Sequence, residues 1–363
     1  MFRGKIEGLG ASGQFEVKDG CANLVHKQTV TTADHEMAYS VLLNWLADEV
    51  RSVELIAAGH RVVHGGIRFR EPVPINTEVM VYLESLIPLA PNHQPGSLQG
   101  IAALQRLQPG LVQIACFDTA FHHHRPEVEQ HFALPARPGL ELVRRYGFHG
   151  LSYEYMAKVL PDHLGERANG KIVAAHLGHG ASLCAMHQRR SVATTMTFSP
   201  LDGIPMATRC GSIDPAVVLY LLHQGMTAES IADLLYFQSG LIGVSELSDD
   251  MAVLLEQATA QAQQAIEYFV HYTVRAIGSM AAALQGLDAL IFTAGIGEHA
   301  ASIREAICQR CRWLGIDLDQ TANRRGLPCI SSRSSPVQAW VISTDEELMI
   351  ASHTLRVLRE PGK

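Results

Sequence analysis

The stretch AAHLGHGASLCA, residues 174–185, sets Gly178, His179 and Gly180 between two apolar runs. KIVAAHL before it and SLCAM after it read as strands, so the pattern predicts a hairpin closed by a glycine turn. A turn of this kind can cradle a phosphate on its exposed backbone N–H groups, hold a metal through its histidine, or simply reverse the chain. A second glycine segment, TAGIGEHAAS at 293–302, follows the apolar run DALIF and leads into a helical pattern. Strand, glycine turn and helix in succession place N–H groups and helix potential where an anion can sit.

Working outward, the chain alternates strand and helix patterns, which predicts an α/β fold with functional residues at strand ends. Residues 34–50 space Ala38, Val41, Leu42, Trp45 and Leu46 along one helical face. AAGHRVVHGG reads as a short buried strand ending at Gly65 and Gly66, and LVQIACFDTAF as a buried strand that delivers Asp118 at its end. Residues 98–107 return to helical spacing. In GSIDPAVVLYLLHQG, Asp214 is an N-cap, Pro215 the first helical residue and Gly225 the stop. One long helix is predicted from about 252 to 284, and AWVISTDEELMIASHTLRVL reads as strand, acidic turn and helix.

At 363 residues, and about 150 residues per domain, two domains are expected. The composition is 47% hydrophobic and 18% charged, which is globular. A formal charge of −7 offers no basic footprint for nucleic acid or an anionic membrane, so a small-molecule ligand is expected. No apolar run reaches the roughly 20 residues of a membrane span, and the start lacks a signal-peptide pattern, so a cytoplasmic location is expected. Seven cysteines, an odd number scattered along the chain, fit reduced thiols. Cys308 and Cys311 form a single C-x-x-C inside a helical pattern, a poor zinc or redox site. His122, His123 and His124 stand in a row, but neighbours on an extended chain point to opposite sides; they are expected at the surface or a cleft edge.

A site combining phosphate donors with carboxylates suits a magnesium nucleotide, and Asp118 and Glu346 supply carboxylates at strand ends. Arg61 lies in an apolar run and Arg209 just before a capped helix. A buried arginine needs a partner, either a structural carboxylate or a planar anion gripped in bidentate fashion.

The motifs GHRVVHGG, LAPNHQP, CFDTAFH, YGFHGLS, AHLGHGAS, FSPLDGIPMATRCGSIDP, SGLIGVSELSDDM, FTAGIGEH and ISTDEELMIA follow the order and spacing of the acetate kinase family, from about residue 55 to 352. The chain resembles that family. The resemblance implies the two-lobed actin-like fold with duplicated βββαβαβα units. The expected lobes are 1–120, completed by a helix at 347–363, and 121–346, which would carry the nucleotide loops and a homodimer surface. It implies Mg2+-dependent phosphoryl transfer from ATP to acetate, giving acetyl phosphate and ADP. A propionate or butyrate kinase and a catalytically impaired nucleotide-binding homologue are the alternatives.

Carried over residue by residue, Arg61 and Arg209 match the arginines on the carboxylate and the transferring phosphoryl group, and His149 the histidine that stabilises the transition state. His93 matches a second site histidine, Asp118 the acid that positions substrate or the magnesium shell, and Glu346 the magnesium ligand. His176, Leu177, Gly178, His179 and Gly180 match the phosphate loop. Asp250 and Met251, with Gly295, Ile296, Gly297, Glu298 and His299, match the border of the nucleoside. Val63, Phe148 and Pro200 match the acyl pocket.

Departures from the pattern are His179 and His299 for asparagines, Ala252 for an arginine and Asn92 for a leucine. Asn92 would make one acyl wall polar and favour acetate or a hydroxylated acid over propionate. The family's opening N-x-G-S-S-S-L-K turn has no counterpart in MFRGKIEGLG, so an N-terminal lobe without its first hairpin, with exposed strand edges and little turnover, is expected.

Overall fold

The computed structural model describes residues 2–8, 10–32, 34–49 and 54–360. The chain divides into two units, Met1–His64 with Pro72–Cys116 and Ala351–Lys363, and Gly65–Glu71 with Phe117–Ile350.

In the first unit, β1 (Arg3–Glu7), β2 (Gly10–Lys18) and β3 (Leu24–Thr32) form an antiparallel meander. Side chains two apart share a face, so Phe15 and Val17 are buried with Val30, while Gln14 bonds Thr29 on the open face. Trp45 of α1 (His35–Glu49) closes this small core, with Val41, Leu42 and Leu46 packed beside it. The unit's other sheet has the order β4-β6-β5, from β4 (Ala57–Val62), β5 (Val73–Pro74) and β6 (Val112–Phe117). Helices α2 (Thr77–Ser85) and α3 (Gln94–Leu107) accompany it. The buried Gln94 amide accepts from the His64 N–H and donates to the carbonyls of His64 and Leu83, replacing the water those groups lose. The buried-arginine expectation fails for Arg61. Strand β4 alternates, with His60 and Val62 buried and Arg61 exposed.

The second unit is built on a mixed five-stranded sheet of order β11-β10-β7-β8-β9. Its strands are β7 (Lys171–Leu177), β8 (Ala181–His187), β9 (Arg190–Thr194), β10 (Ala289–Thr293) and β11 (Gln338–Val341). β10 runs parallel to β7 and β11, and β7 with β8 is the predicted hairpin, pairing His176 with Ser182. Helix α4 (Gly150–Leu164) lays Tyr153, Met156 and Leu160 against Ile172, Ala174, Cys184 and Ile291. The short helices α5 (Pro215–His223), α6 (Ala228–Phe237), α7 (Gly240–Ser245) and α8 (Met251–Glu256) precede α9 (Ala260–Leu284), which packs against β7, β8 and β9. β7 and β10 are buried on both faces, which is why they read as unbroken apolar runs. The remaining helices are α10 (Ala294–His299), α11 (Ala301–Arg310), α12 (Gln320–Arg324) and α13 (Glu346–Arg359).

Three further expectations need correction. The single helix over 252–284 is two, because α8 stops at Glu256 and the Thr259 hydroxyl caps α9 by accepting from Ala262 N–H. Residues 65–71 and 117–120 group with the second unit, where Phe69 stacks on Phe117 at 5.3 Å and Gly65 N–H donates to Thr119 Oγ1. His122 is in the core, not at the surface: it is fully buried, His123 is half-buried and only His124 is exposed. All seven cysteines are free. Burial pushes the Cys308 thiol up strongly and Cys311 up to about 12, which leaves both inert as thiols.

Gly240 sits at φ +64, and a Cβ there would meet the Met206 carbonyl oxygen at 2.1 Å. Gly225 has φ +90 but open space around it. Gly240→Ala is expected to cost about 2–4 kcal/mol in urea unfolding and Gly225→Ala about 1 kcal/mol. Equal losses would contradict this account.

Candidate functional site

The turn between β7 and β8 is closed by Gly178 N–H donating to Gly180 O at 3.2 Å, and Ala207 N–H holds the His179 carbonyl at 3.2 Å. Parallel pairing aligns His176 with Thr293, so the chain leaves β7 and β10 at the same level. A Cβ on Gly178 would lie 3.5 Å from Ala294 Cβ and 3.9 Å from Gly295 N, which shows how closely the two glycine segments meet. Gly295, Ile296, Gly297 and Glu298 are not a loop as expected but lie within helix α10. Glu298 reaches back to accept from Ala294 N–H at 2.9 Å and secures its first turn.

Beside these segments is a cavity of about 530 Å3. Of the predicted nucleotide residues, Gly178, His179, Asp250, Met251, Gly295, Ile296 and His299 line it. His176, Leu177, Gly180, Gly297 and Glu298 do not. His176 and Leu177 are buried within β7. Asp249, Leu255 and Ala300 line the cavity as well, together with Ala252. Asp249 was hidden by its neighbour: Asp250 caps α8 by accepting from Ala252 N–H, and Asp249 is the carboxylate that faces His179 Nε2 at 3.3 Å.

On the other side of the turn, His149 precedes α4 in the left-handed conformation, φ 56 and ψ 27. The flanking glycines of YGFHG allow this turn. Gly147 has φ +90 and lies against the His122 ring, and Gly150 N–H bonds Asp118 O at 2.9 Å, where a Cβ would meet that oxygen at 2.0 Å. Asp118, 1% exposed, is thereby tied to the start of α4. A Cβ on Gly180 would be 3.3 Å from His149 Nε2 and 3.6 Å from Arg209 Nη1, so these two predicted residues converge on one spot beside the turn. Arg209 Nη1 donates to Pro200 O at 3.2 Å, which aims the guanidinium. His149 Nδ1 meets Ser182 Oγ at 2.8 Å, and the His149 and His176 rings stack with centroids 4.2 Å apart.

Glu346 opens α13 and is half-buried, and its charge helps to raise the pKa of the Tyr153 phenol, whose main cause is burial. Among the described residues no group of three or more His, Cys, Asp or Glu forms a metal cage. Mg2+ does not need one, since it commonly takes one or two carboxylates together with substrate phosphates and water, and Glu346 offers such an oxygen. Phe148 and Pro200 are buried in the second unit. In the first unit, Val63 and His93 are half-buried, and Arg61 and Asn92 are exposed.

Sequence reasoning missed Arg304. Its buried guanidinium binds the carbonyls of Gly297, Glu298 and Asn323 and the Asn323 side chain, at 2.8–3.0 Å. It satisfies the end of α10 and so fixes the cavity wall. The only sequence signal was a cation in the helical pattern ASIREAICQR, indistinguishable from a solvated arginine.

The mixed sheet, with two adjoining glycine segments at its strand ends, makes this an α/β protein, and its likeness to solved kinases shows the actin-like ATPase type. An acetate kinase from Porphyromonas gingivalis matches with a TM-score of 0.87 and 34% identity, over 98% of this chain and 93% of that one. A propionate kinase from Francisella tularensis matches with a TM-score of 0.87 and 32% identity, over 96% and 97%. The acetokinase family model matches residues 2–352. An acetate kinase of Rhodopseudomonas palustris strain TIE-1 is 54% identical over 89% of this chain and 82% of its own. One of Methylocella silvestris is 47% identical over 99% and 90%. The chain belongs to the acetokinase family.

Two outcomes test the supports of the site. Arg304→Met leaves four buried acceptors unmatched and is expected to cost about 2–4 kcal/mol, read from the urea midpoint. His122 is held neutral in the fold, its pKa lowered to about 3 by burial and then by the Arg125 charge, against 6.5 for the free side chain. The unfolded chain therefore takes up a proton first as pH falls, and stability present above pH 6.5 is lost toward pH 3, by about 1.4 kcal/mol per pH unit. His123, lowered to about 4 mainly by burial, adds in the same direction. Urea unfolding at pH 7 and at about pH 5 should show His122→Gln losing less with acid than the unchanged protein does.

Proposed function

We propose that the protein is an acetate kinase, which transfers the terminal phosphoryl group of ATP to acetate and forms acetyl phosphate and ADP. The observation that carries this reading is the convergence of His149 Nε2 and Arg209 Nη1 beside Gly180, at a turn that borders the cavity. Family membership gives that convergence its chemistry.

Acetate is already an anion at neutral pH, so its oxygen can attack phosphorus without surrendering a proton. The demand on the protein is to bring two anions together and neutralise the charge spread over the phosphoryl oxygens in flight. In this reading Arg209 supplies a fixed positive charge and His149 a directed hydrogen bond. Asp118, anchored through its backbone to Gly150, positions substrate or the water around the metal. The family resemblance assigns the acetate carboxylate to Arg61, with His93 in support, and the methyl group to Val63, Phe148 and Pro200. The nucleoside lies along Asp250, Met251, Ile296 and His299, with its phosphates toward Gly178. Glu346 would hold Mg2+, which when bound neutralises phosphate charge.

The working form is proposed to be a cytoplasmic homodimer. Among the described residues no helix is long and apolar enough to cross a membrane. Helix α5, PAVVLYLLH, has no buried residue, and Leu219 and Tyr220 are 58% and 61% exposed. An apolar helix left this bare suits burial against a second copy.

Trapping of acyl phosphate by hydroxylamine, with ATP and Mg2+, tests the activity. Even slow turnover is expected to favour acetate over propionate and butyrate, and absence of acetyl phosphate would refute the reading in favour of the catalytically impaired homologue. Arg209→Ala is expected to lower kcat about 10²- to 10³-fold with the fold unchanged by circular dichroism. Leu219→Lys together with Tyr220→Lys is expected to halve the mass seen by sedimentation, and an unaltered mass would remove α5 from the interface.

A further inference from the structure

The His149 imidazole is supported from beneath by a chain of buried hydroxyls. Tyr153 and Ser182 are both fully buried, the first on α4 one turn after His149, the second on β8 two residues after Gly180. Tyr153 Oη lies 2.6 Å from Ser182 Oγ, and Ser182 Oγ lies 2.8 Å from His149 Nδ1. Burial raises the phenol pKa well above 10, so Tyr153 keeps its proton and must place it on an acceptor. Ser182 Oγ is the side-chain acceptor within reach. With that lone pair engaged, the serine's own proton points at His149 Nδ1, which accepts it. The ring proton of neutral His149 then sits on Nε2, the nitrogen on the Gly180 and Arg209 side.

The neighbouring ring is held in the same manner. Thr344 Oγ1 donates to Ser152 Oγ at 2.9 Å, and Ser152 Oγ lies 2.9 Å from His176 Nδ1. His176 stacks on His149 with an interplanar angle of 21° and so blocks rotation of the imidazole out of its plane. An imidazole free to turn over could present either nitrogen, whereas this one is clamped by a hydrogen bond at one edge and a ring on one face.

We infer that Tyr153 and Ser182 are positioning residues for phosphoryl transfer: the Tyr153–Ser182–His149 relay fixes His149 as the tautomer that donates from Nε2 to the transferring phosphoryl group. The relay itself rests on geometry, and its catalytic consequence rests on the acetate kinase reading.

The test separates the two. In protein labelled with 15N-histidine, the His149 signals are assigned by their loss in His149→Gln, and the protonated nitrogen is read directly at neutral pH. A protonated Nε2 with a bare Nδ1 is expected, and a proton on Nδ1 overturns the relay whatever the activity. Ser182→Ala is expected to lower kcat about 10- to 100-fold, the scale on which partners that orient a working histidine act. KM for ATP and acetate should stay within about threefold, because ground-state contacts are untouched. Tyr153→Phe, which keeps the ring packing, is expected to lower kcat less and to mix the His149 tautomers. Unchanged kcat and an unmixed tautomer in both variants overturn the positioning role. Should the unchanged protein show the Nε2–H tautomer yet make no acetyl phosphate, the function reading fails and the relay stands.

Discussion

The missing side chain at Gly180 is the constraint from which the rest of the second unit's site follows. The space a Cβ would fill is bounded by His149 Nε2 at 3.3 Å and Arg209 Nη1 at 3.6 Å. Three remote segments must therefore converge there. The β7–β8 hairpin supplies the turn, a left-handed residue before α4 supplies the imidazole, and the 200–209 loop supplies the guanidinium through its bond to Pro200 O. Each segment is anchored away from the spot: the turn by Ala207 N–H on His179 O, α4 by Asp118 O on Gly150 N–H, and the 200–209 loop by Leu241 and Ile242 N–H on the carbonyls of Met206 and Ala207. Preorganisation of this kind places charge before the reaction needs it, which is where electrostatic stabilisation gains most.

Burying three imidazoles beneath such a site demands hydrogen bonds, and the fold meets that demand in one repeated way. His122, His149 and His176 each set Nδ1 against a serine hydroxyl, of Ser191, Ser182 and Ser152, at 2.8, 2.8 and 2.9 Å. A hydroxyl can donate or accept, so a serine partner lets a neutral imidazole be satisfied without burying a second charge. His122 uses its other nitrogen to hold Phe148 O, one residue before His149, and the Arg125 guanidinium closes the same turn through carbonyls of Arg145 and Tyr146. The polar core thus sets the backbone of YGFHG as well as the ring that emerges from it.

Legibility in the sequence followed how local each determinant was. The β7–β8 hairpin, the Asp214 cap of α5 and the delivery of Asp118 by β6 depend on alternation, caps and glycines within a few residues, and all are present. The break between α8 and α9 was obscured because Gln257, Ala258 and Thr259 do not interrupt helical spacing, although Thr259 caps. β1 to β3 carried too little apolar alternation to be read, since among the described residues the large side chains this sheet buries in its small core are Phe15, Val17 and Val30. His122 and Arg304 look like surface residues in isolation. Only the tertiary fold brings Ser191 to one and Asn323 to the other. Arg61 erred in the opposite sense: an apolar neighbourhood suggested burial, but the alternation of β4 puts Val62 inside and Arg61 out.

The glycine turn that first suggested a phosphate cradle, a metal site or a plain reversal is resolved by what each of its atoms faces. Its backbone is committed, with Gly178 N–H on Gly180 O and His179 O on Ala207 N–H, so the turn cannot relax around an arbitrary ligand. The His179 ring is 64% exposed and meets a single carboxylate, Asp249 at 3.3 Å, which is too few donors for a metal. An exposed pair of this kind adds little to stability in water. His179 and Asp249 instead set a hydrogen-bonding pair in the lining of the cavity, which also includes Gly295, Ile296 and His299 of α10, the helix whose end Arg304 secures through the carbonyls of Gly297 and Glu298.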